Sequence, residues 1–534
     1  MKSALVAVVT RIRPYKWPIA VAVFLALGLA LRLYAAFHAP WYWDEGYLTE
    51  YAKSLSQGGP AQIGATRLSG LFGAPFSVVV PLSAAPLAAL PGLNALEAAR
   101  LWASLLAALG GLLLVLLAAR SFGRVEALWA AALWALWPMA VRYQCLAFYH
   151  PLGAEAALAA VCAVVYGRPR LAAGLAGLAA ICCYWLWWLP VLVVAYLTWR
   201  RAAPWAWLLL FAALAPLMDL AVVLGAGWDR LLMDLHALGH VSQASTPSFP
   251  RPALDLLGLD FLTLPFLPAG LLGLGLAWRL RRARGGHELL ILAVALGSVL
   301  EPWRQRGDLR AMHYPLIPAI PFICLGVAWL AARLSAWRPA QLLGLGVLLT
   351  AFAWPSPEVL HNALSADPAR AREMVAYLKR TLAPQAQVVG MVELNWALRP
   401  ELQPYEAAEA AAVQGLPGGF LPGGLTPDHF VFLPSLEKTQ ALIVSRSNVL
   451  GIFKQANTAM LYLRAEQAGW PKSFDNRSFR VYLNPRYFKA KDPDVRILQG
   501  AEFYALAAGQ LDALGDTAAA AFARRHLRDA VPAP

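Results

Sequence analysis

PIAVAVFLALGLALRLYAAF, residues 18–37, is followed after three residues by Trp41-Tyr42-Trp43-Asp44-Glu45-Gly46-Tyr47. The first stretch is long and apolar enough for an α-helix to cross the hydrocarbon core of a bilayer. Aromatic side chains favour the membrane–water boundary, whereas an Asp-Glu pair there is costly to desolvate unless it serves a polar cavity, a metal or a substrate. The two stretches together therefore predict a membrane protein with an active site at the membrane surface.

The composition of the whole chain agrees with that prediction. Of its 534 residues, 59% are hydrophobic and 14% are charged, and the mean hydropathy is +0.53. Soluble globular domains contain about 25% charged residues. Apolar runs of about 15 to 20 residues recur as far as Trp354, which is typical of helices that satisfy their own backbone hydrogen bonds in lipid. The lipid bilayer is thus the first predicted partner.

The net charge of +14 does not indicate nucleic-acid binding. The basic residues lie in short clusters between apolar runs, where they act as topology signals, and no nucleic-acid motif is visible. All five cysteines lie in the apolar part of the chain, so no disulfide framework is predicted.

Orientation follows from the rule that short basic loops stay in the cytoplasm. The rule predicts a multi-pass protein of the cytoplasmic (inner) membrane with its N-terminus inside. The clusters are Arg11/Arg13/Lys16, Arg120/Arg124, Arg168/Arg170, Arg200/Arg201, Arg279/Arg281/Arg282/Arg284 and Arg333/Arg338.

The predicted fold class is a polytopic α-helical membrane protein with about 11 membrane segments. Residues 171–199 begin and end beside cytoplasmic arginines and are too few for two full crossings, so they predict a short hairpin. Residues 76–93 carry three prolines and would reverse the topology, so they are placed on the outer surface. The first outer loop then covers residues 38–96. The remaining spans are predicted near 18–37, 97–118, 126–141, 151–166, 203–224, 259–278, 288–302, 314–332 and 340–354.

Composition changes to mixed polar sequence after Trp354, which predicts two domains. Residues 1–354 form the transmembrane domain, and residues 355–534 form an extracytoplasmic soluble α/β domain. In the second domain we expect helices at Pro368–Leu382 and Ala501–Arg528, and strands at Gln387–Val392, His429–Leu433 and Phe479–Leu483.

This topology places many polar residues on the non-cytoplasmic side. Ionisable groups at the ends of spans commonly mark a substrate path. Guanidinium groups match the oxygens of phosphate, so a lipid phosphate is the expected ligand of the arginine run. Besides Asp44 and Glu45, the candidate substrate-binding residues are Arg142, Tyr143, His150, Arg304, Arg306, Arg310, His313 and Tyr314.

Each of these residues also has an ordinary structural interpretation. Asp44 and Glu45 could open the helix predicted from residue 44 to residue 56, where acidic residues are favoured. The arginines after Glu301 could touch lipid head groups at the interface. His150, directly before Pro151, could cap a span.

Two stretches, in their order along the chain, carry a family resemblance. They are Ala98-Ala99-Arg100-Leu101-Trp102-Ala103-Ser104 with its continuation to Arg120-Ser121-Phe122-Gly123-Arg124, and Met312-His313-Tyr314-Pro315-Leu316-Ile317-Pro318. Following an Asp-Glu pair and a long outer loop, they resemble bacterial relatives of protein O-mannosyltransferases and aminoarabinose (lipid A) transferases. These enzymes are GT-C type membrane glycosyltransferases. The resemblance covers roughly the first 350 residues as a pattern.

The resemblance implies transfer of a sugar from a polyprenyl-phosphate-linked donor to an extracytoplasmic acceptor, with inversion at the anomeric carbon. Asp44 is then the general base and Glu45 its neighbour in the catalytic site, while Arg304, Arg306 and Arg310 hold the carrier phosphate. Relatives carry a Lys-Pro-Pro-like signature in the first outer loop, where this chain has Phe72-Gly73-Ala74-Pro75-Phe76. The identity of a metal is unknown, and a divalent metal stays open as a cofactor.

Two alternatives remain at the level of sequence. A transporter or flippase of lipid-linked sugar precursors would also need arginines and a polar cleft, although no inverted repeat is visible. A non-catalytic scaffold that displays the domain after Trp354 would need neither Asp44 nor the arginines.

Overall fold

The structure of the protein is a computed structural model. It describes residues 16–38, 45, 48–49, 52, 56, 79–90, 95–147, 150–200, 266–281, 286–306, 314–334, 368–384, 386–390, 402–405, 437–445, 456–476, 478–488, 501–513 and 515–530.

The apolar part of the chain is helical wherever it is described. Two 3₁₀ segments, Tyr184–Leu186 and Tyr314–Ala319, lie between its helices. The α-helices are α1 Lys16–His38, α2 Val79–Ala88, α3 Ala95–Ser121, α4 Arg124–Leu136, α5 Pro138–Gln144, α6 His150–Val165, α7 Pro169–Cys182, α8 Leu189–Trp199, α9 Phe266–Arg281, α10 His287–Arg306 and α11 Ile320–Leu334.

Three stretches within the described residues are long and apolar enough to cross a membrane: Trp17–His38, Leu96–Ser121 and Leu316–Arg333. Four further apolar helices are shorter. The helices are those of a membrane protein, as predicted. The total of about 11 segments stays a prediction, because the spans expected at 203–224 and 340–354 lie outside the described residues.

Prolines interrupt two spans that were predicted to be continuous. The span expected at 126–141 is two helices, because Trp137 is extended (φ −69°, ψ 118°) and Pro138 starts α5. Proline disfavours helical backbone in the residue before it and donates no hydrogen bond. The span expected at 314–332 likewise begins as a 3₁₀ segment with Pro318 inside it. Both stretches contain helices with a break that was not predicted, and their crossing of the membrane stays a prediction.

The region predicted to form a hairpin, 171–199, contains a pair of short helices, and their entry into the membrane stays a prediction. Helices α7 and α8 have 14 and 11 residues, and the 3₁₀ turn Tyr184–Leu186 lies between them. In the region predicted to lie on the outer surface, α2 has 10 residues, about 15 Å of helix, which is half the thickness of a hydrocarbon core. Its length agrees with a surface position.

Small residues allow the helices of the bundle to approach closely. Gly28 of α1 and Gly111 of α3 both lie against the indole of Trp134 on α4, where a Cβ would overlap the ring. Gly270 and Gly273 of α9 face the backbone of Gly326 on α11. Close backbone contact of this kind replaces the hydrophobic driving force that is absent between helices in lipid.

The part of the chain after Trp354 contains a mixed five-stranded sheet in the order β2-β1-β3-β5-β4. Strands β1 and β2 and strands β1 and β3 are parallel, and β5 runs antiparallel to both β3 and β4. The elements are α12 Pro368–Thr381, β1 Ala386–Val389, β2 Leu402–Tyr405, β3 Thr439–Ser445, α13 Ala456–Gln467, β4 Lys472–Asp475, β5 Phe479–Leu483, α14 Ala501–Ala513 and α15 Thr517–Ala530.

The α12 helix and the strands at β1 and β5 were predicted. The expected strand at His429–Leu433 lies outside the described residues. The stretch 501–528 is helical as predicted and consists of two helices, because Gly515 has φ +80° and directs the chain away from α14. Strands β2, β3 and β4 were missed.

A second apolar core joins this sheet to the outer loop of the membrane domain. Its buried residues include Leu48 from the first outer loop, Val80 of α2, Leu96 of α3, Met374 of α12 and Val481 of β5. The sheet, α12, α2 and the first turn of α3 therefore share one continuous core. The two domains predicted from composition are packed together in the structure.

The close contact between α9 and α11 gives a stability prediction. In Gly273→Ala the new Cβ would overlap the carbonyl oxygen of Gly326, whereas Gly275→Ala on the same helix meets no atom within 4 Å. Overpacking typically costs about 1 to 3 kcal/mol. We expect Gly273→Ala to lower the thermal unfolding midpoint in detergent and Gly275→Ala to leave it unchanged or slightly higher. Equal midpoints for the two variants would contradict the packing described here.

Candidate active site

A buried ion pair joins the first outer loop to helix α3. The Arg100 guanidinium donates from Nε to Glu45 Oε1 at 2.8 Å and from Nη2 to Glu45 Oε2 at 2.6 Å. Glu45 is 0% and Arg100 1% exposed. This two-point geometry is the strongest form of guanidinium–carboxylate contact.

The same pair is bonded to two further segments. Arg100 Nη1 donates to the carbonyl oxygen of Ala36 at 3.0 Å, near the end of α1. The backbone N–H of Ala147, between α5 and α6, donates to Glu45 Oε1 at 2.8 Å. Buried charges are stable only when their remaining donors and acceptors are satisfied. Glu45 therefore fixes the outer loop, α1, α3 and the segment before α6 to one another.

A second buried arginine supports the segment before α6 from within the bundle. Arg32 of α1 donates from Nη2 to Gln144 Oε1 at 2.7 Å and to the carbonyl oxygen of Trp134 at 2.8 Å. Its Nη1 donates to Gly28 O at 2.9 Å, and its guanidinium carbon lies 3.8 Å from the centroid of the Trp134 ring. Gln144 and Ala147 are thus held by two different charged groups.

These contacts lie at the end of the bundle opposite the basic loop Arg120/Arg124. Helix α3 has 27 residues and runs from Ala95 to Ser121, about 40 Å. Arg100 is near its start, and Arg120 and Arg124 are at its far end. Arg100 and Arg120 therefore lie at opposite ends of α3, and the assignment of these ends to the two membrane surfaces stays a prediction.

The tip of the α7–α8 hairpin contacts two more parts of the same end. Trp185 Nε1 donates to His150 Nε2 at 2.8 Å, and Trp187 Nε1 donates to Glu301 Oε1 at 2.9 Å. An acceptor Nε2 is unprotonated, so this bond places the proton of neutral His150 on Nδ1. His150 begins α6 and is 4% exposed.

The structure brings some predicted site residues together and leaves others undescribed. Glu45 and His150 both belong to the bonded contacts at the end of the bundle that carries Arg100. Tyr143 is 2% exposed and lies in the main apolar core, which gives it a packing role. Arg142 is in α5, Arg304 and Arg306 are in the last turn of α10, and Tyr314 begins a 3₁₀ segment, but their side chains are not described. Asp44, Arg310 and His313 lie outside the described residues.

Sequence reasoning missed several residues of this network. Arg32 and Arg100 are the clearest, because a charged residue inside an apolar span is itself a signal of a buried partner or a functional site. Glu155 of α6 carries the same signal. It is 4% exposed, and its carboxylate lies against Gly110 of α3, where a Cβ would overlap it. Trp185 and Trp187 gave no comparable signal, because tryptophan is common at membrane boundaries.

The described residues contain no group of three His, Cys, Asp or Glu side chains that could hold a metal ion. Asp44 is not among those residues, so a metal at the predicted catalytic position stays open. Within the described part of the site, arginines supply the positive charge.

Comparison of the whole chain with solved structures identifies the fold. The chain matches ArnT from Cupriavidus metallidurans bound to undecaprenyl phosphate with a TM-score of 0.54 and 16% identity, over 87% of this chain and 98% of that chain. The chain has the GT-C fold. It also matches the apo oligosaccharyltransferase of Archaeoglobus fulgidus with a TM-score of 0.53 and 12% identity, over 90% of this chain and 75% of that chain.

A third similar structure is the oligosaccharyltransferase AglB from Archaeoglobus fulgidus in complex with an inhibitory peptide and a dolichol-phosphate. Its TM-score is 0.52 at 12% identity, over 89% of this chain and 74% of that chain. No family profile and no curated protein matches the chain in sequence. At this level of identity, the likeness establishes the shared fold alone.

The Glu45–Arg100 pair gives a second prediction. Glu45→Gln leaves the Arg100 guanidinium buried without its counter-charge, which typically costs about 3 to 5 kcal/mol. The matched control is Glu97→Gln, on the helix that carries Arg100. The Glu97 carboxylate lies 3.9 Å from Arg372 in a partly exposed pair, and such pairs contribute under about 1 kcal/mol. We expect a large fall in the thermal unfolding midpoint for Glu45→Gln only. The same small shift in both variants would show that Glu45 does not hold the four segments together.

Proposed function

We propose that this chain is a membrane glycosyltransferase that moves a sugar from a polyprenyl-phosphate carrier to an acceptor outside the cytoplasm. The proposal rests chiefly on the buried Glu45–Arg100–Ala147 contact at the outer end of the bundle. That contact fixes Glu45 of the Asp-Glu pair. The shared GT-C fold also supports the proposal. The acceptor belongs to the broad class of lipids, glycans or proteins with a nucleophilic group.

The contacts of Glu45 separate the roles of the two carboxylates. Three hydrogen bonds from Arg100 and Ala147 engage both oxygens of Glu45. Both oxygens already accept hydrogen bonds from the protein, and Glu45 is 0% exposed, so an acceptor hydroxyl does not reach them. We therefore assign Glu45 a positioning role and propose Asp44 as the general base. Successive Cα atoms are about 3.8 Å apart, so fixing Glu45 also confines Asp44.

In the proposed reaction the Asp44 carboxylate accepts the proton of the acceptor hydroxyl. The hydroxyl oxygen forms a bond to the anomeric carbon as the bond between that carbon and the carrier phosphate oxygen breaks. Attack from the side opposite the phosphate inverts the configuration of the anomeric carbon. The phosphate leaves with the bonding electron pair, and its growing negative charge needs nearby positive groups.

Arg304, Arg306 and Arg310 are the proposed partners of that phosphate. Arg304 and Arg306 lie in the last turn of α10. Glu301 of the same helix bonds the hairpin tip that also bonds His150. The similar structures of ArnT and AglB contain undecaprenyl phosphate and a dolichol-phosphate, respectively. We propose a carrier of the same chemical class for this chain, with His313, Tyr314, Arg142 and His150 contributing to substrate binding.

Topology enters the same proposal. We place the basic loops on the cytoplasmic side of the inner membrane. Glu45, α2 and the sheet domain then all lie outside the cytoplasm. The apolar core shared by the outer loop and the sheet supports a common side for these segments.

Replacing the proposed base gives the third prediction. Asp44→Asn keeps the size of the side chain and removes its ability to accept a proton, so sugar transfer should fall by at least about 100-fold, the usual contribution of a general base. The measurement is transfer of radiolabelled sugar from a polyprenyl-phosphate donor to membranes, with protein that unfolds at the parental midpoint. Glu97→Gln serves as the control and should keep parental transfer. Parental transfer by Asp44→Asn would refute the assignment of Asp44 as the base, whereas absence of transfer by the parent protein itself would favour a flippase or scaffold.

The arginines give the fourth prediction. A hydrogen bond to a charged group contributes about 1.5 to 3 kcal/mol, so Arg304→Gln/Arg306→Gln should weaken the binding of undecaprenyl phosphate by at least about tenfold. The control is Arg168→Gln/Arg170→Gln, which removes two exposed arginines from the opposite end. Titration of each detergent-solubilised double variant with undecaprenyl phosphate measures the two affinities. Equal losses in the two double variants would show that the binding depends on overall charge and not on this site.

A further inference from the structure

The tip of the α7–α8 hairpin, residues 183–188, lies between two separate parts of the candidate site. On one side, Trp185 bonds His150 at the start of α6. On the other side, Trp187 bonds Glu301 near the end of α10. The backbone of the tip is closed by the Leu186 N–H, which donates to the Cys183 carbonyl at 2.8 Å, and Trp188 Nε1 donates to Trp185 O at 2.8 Å.

Trp187 and Glu301 are an unequal pair. Trp187 is 57% exposed, so its indole N–H could be solvated without Glu301. Glu301 is 8% exposed, so solvent reaches its carboxylate poorly. The indole N–H of Trp187 supplies a hydrogen bond that water would otherwise have to provide. The contact therefore stabilises Glu301, and it fixes the indole that reaches it.

The end of α10 needs external support at this point. Pro302 is inside the helix and donates no hydrogen bond to the preceding turn, which weakens the helix there. Arg304 and Arg306 follow within four residues. The bond from Trp187 to Glu301, the residue directly before the proline, supports the helix next to the position where this backbone hydrogen bond is missing.

We propose that Trp187 and Glu301 are positioning residues that set where the last turn of α10 presents Arg304 and Arg306 to the carrier phosphate. This inference rests on the proposed function, since it assumes that these arginines bind a lipid phosphate. Neither side chain touches the substrate in this proposal. The Trp187–Glu301 bond acts through the backbone of α10.

The substitutions separate the bond from the charge and from the ring. Trp187→Phe keeps an aromatic ring and removes the donor. Glu301→Gln keeps the acceptor oxygen and removes the charge, whereas Glu301→Leu removes both. Trp199→Phe is the matched control, because Trp199 is 64% exposed and lies at the far end of α8.

The test measures binding of two lipids to the purified full-length protein in detergent: undecaprenyl phosphate and undecaprenol, the same chain without phosphate. We expect Trp187→Phe and Glu301→Leu to weaken binding of the phosphate by about tenfold, the size of one lost hydrogen bond to a charged group. Binding of the alcohol should not change. Glu301→Gln and Trp199→Phe should stay within about threefold of the parent, and the double variant Trp187→Phe/Glu301→Leu should be no weaker than either single variant.

The outcomes distinguish this inference from the proposed function. Parental phosphate binding by Trp187→Phe, or an equal loss for both lipids, would overturn the positioning role while leaving the carrier site intact. A parent protein that binds both lipids equally would overturn the carrier site and this inference together. Should Glu301→Leu fail to fold, Trp187→Phe and Glu301→Gln still decide, because a charge-based role predicts a loss in Glu301→Gln and a positioning role does not.

Discussion

The Glu45–Arg100 ion pair is the contact on which the outer end of this protein depends. Removing two charges from water is costly, and their attraction compensates only when the remaining hydrogen-bonding groups are also satisfied. Arg100 meets this condition with both oxygens of Glu45 and with Ala36 O, and Glu45 meets it with the Ala147 N–H. The requirement to satisfy one buried pair therefore brings four separate chain segments to one point.

The small residues of the bundle allow buried charged groups to form hydrogen bonds with the backbone. Backbone carbonyl groups within a helix are usually occupied by their own hydrogen bonds, but a second lone pair remains accessible where neighbouring side chains are small. Arg32 uses the carbonyl oxygen of Gly28 in this way. It also bonds the carbonyl oxygen of Trp134, to which Pro138, four residues on, has no N–H to donate. Gly28 also leaves room for the Trp134 ring, over which the guanidinium lies. Close helix packing and charge burial are thus two results of the same sequence feature.

Much of the membrane domain could be predicted from the sequence, because apolar length and basic loops act locally. Helices α1, α3 and α6 lie where the apolar runs are, and the short hairpin follows from too few residues between two basic clusters. The breaks at Pro138 and before Ile320 were missed because hydropathy averages over a window and proline acts at a single peptide. Strand β4, Lys472–Asp475, is short, polar and at the edge of the sheet, so it lacks the apolar alternation that identifies a strand.

The site itself was only half accessible to sequence reasoning. The Asp-Glu pair marked the segment that contains the buried Glu45, but adjacent carboxylates look equivalent until the partners of one of them are known. Arg100 is 55 residues from Glu45 in the chain, so only the fold reveals that Glu45 is already occupied.

The sheet domain adds a constraint on how the site operates. Its helix α12 and strand β5 share a buried apolar core with α2 and the start of α3, and the Glu97–Arg372 pair at 3.9 Å is partly exposed. Exposed pairs contribute little, so burial of apolar surface supplies most of the attachment. Swinging the domain away would expose Val80 and Met374 to water, a cost that grows with every side chain in the cluster. Since Leu96 and Arg100 are one helical turn apart on α3, a displacement of that core would also disturb the buried ion pair. The apolar core of the described residues and the buried ion pair are therefore coupled through α3.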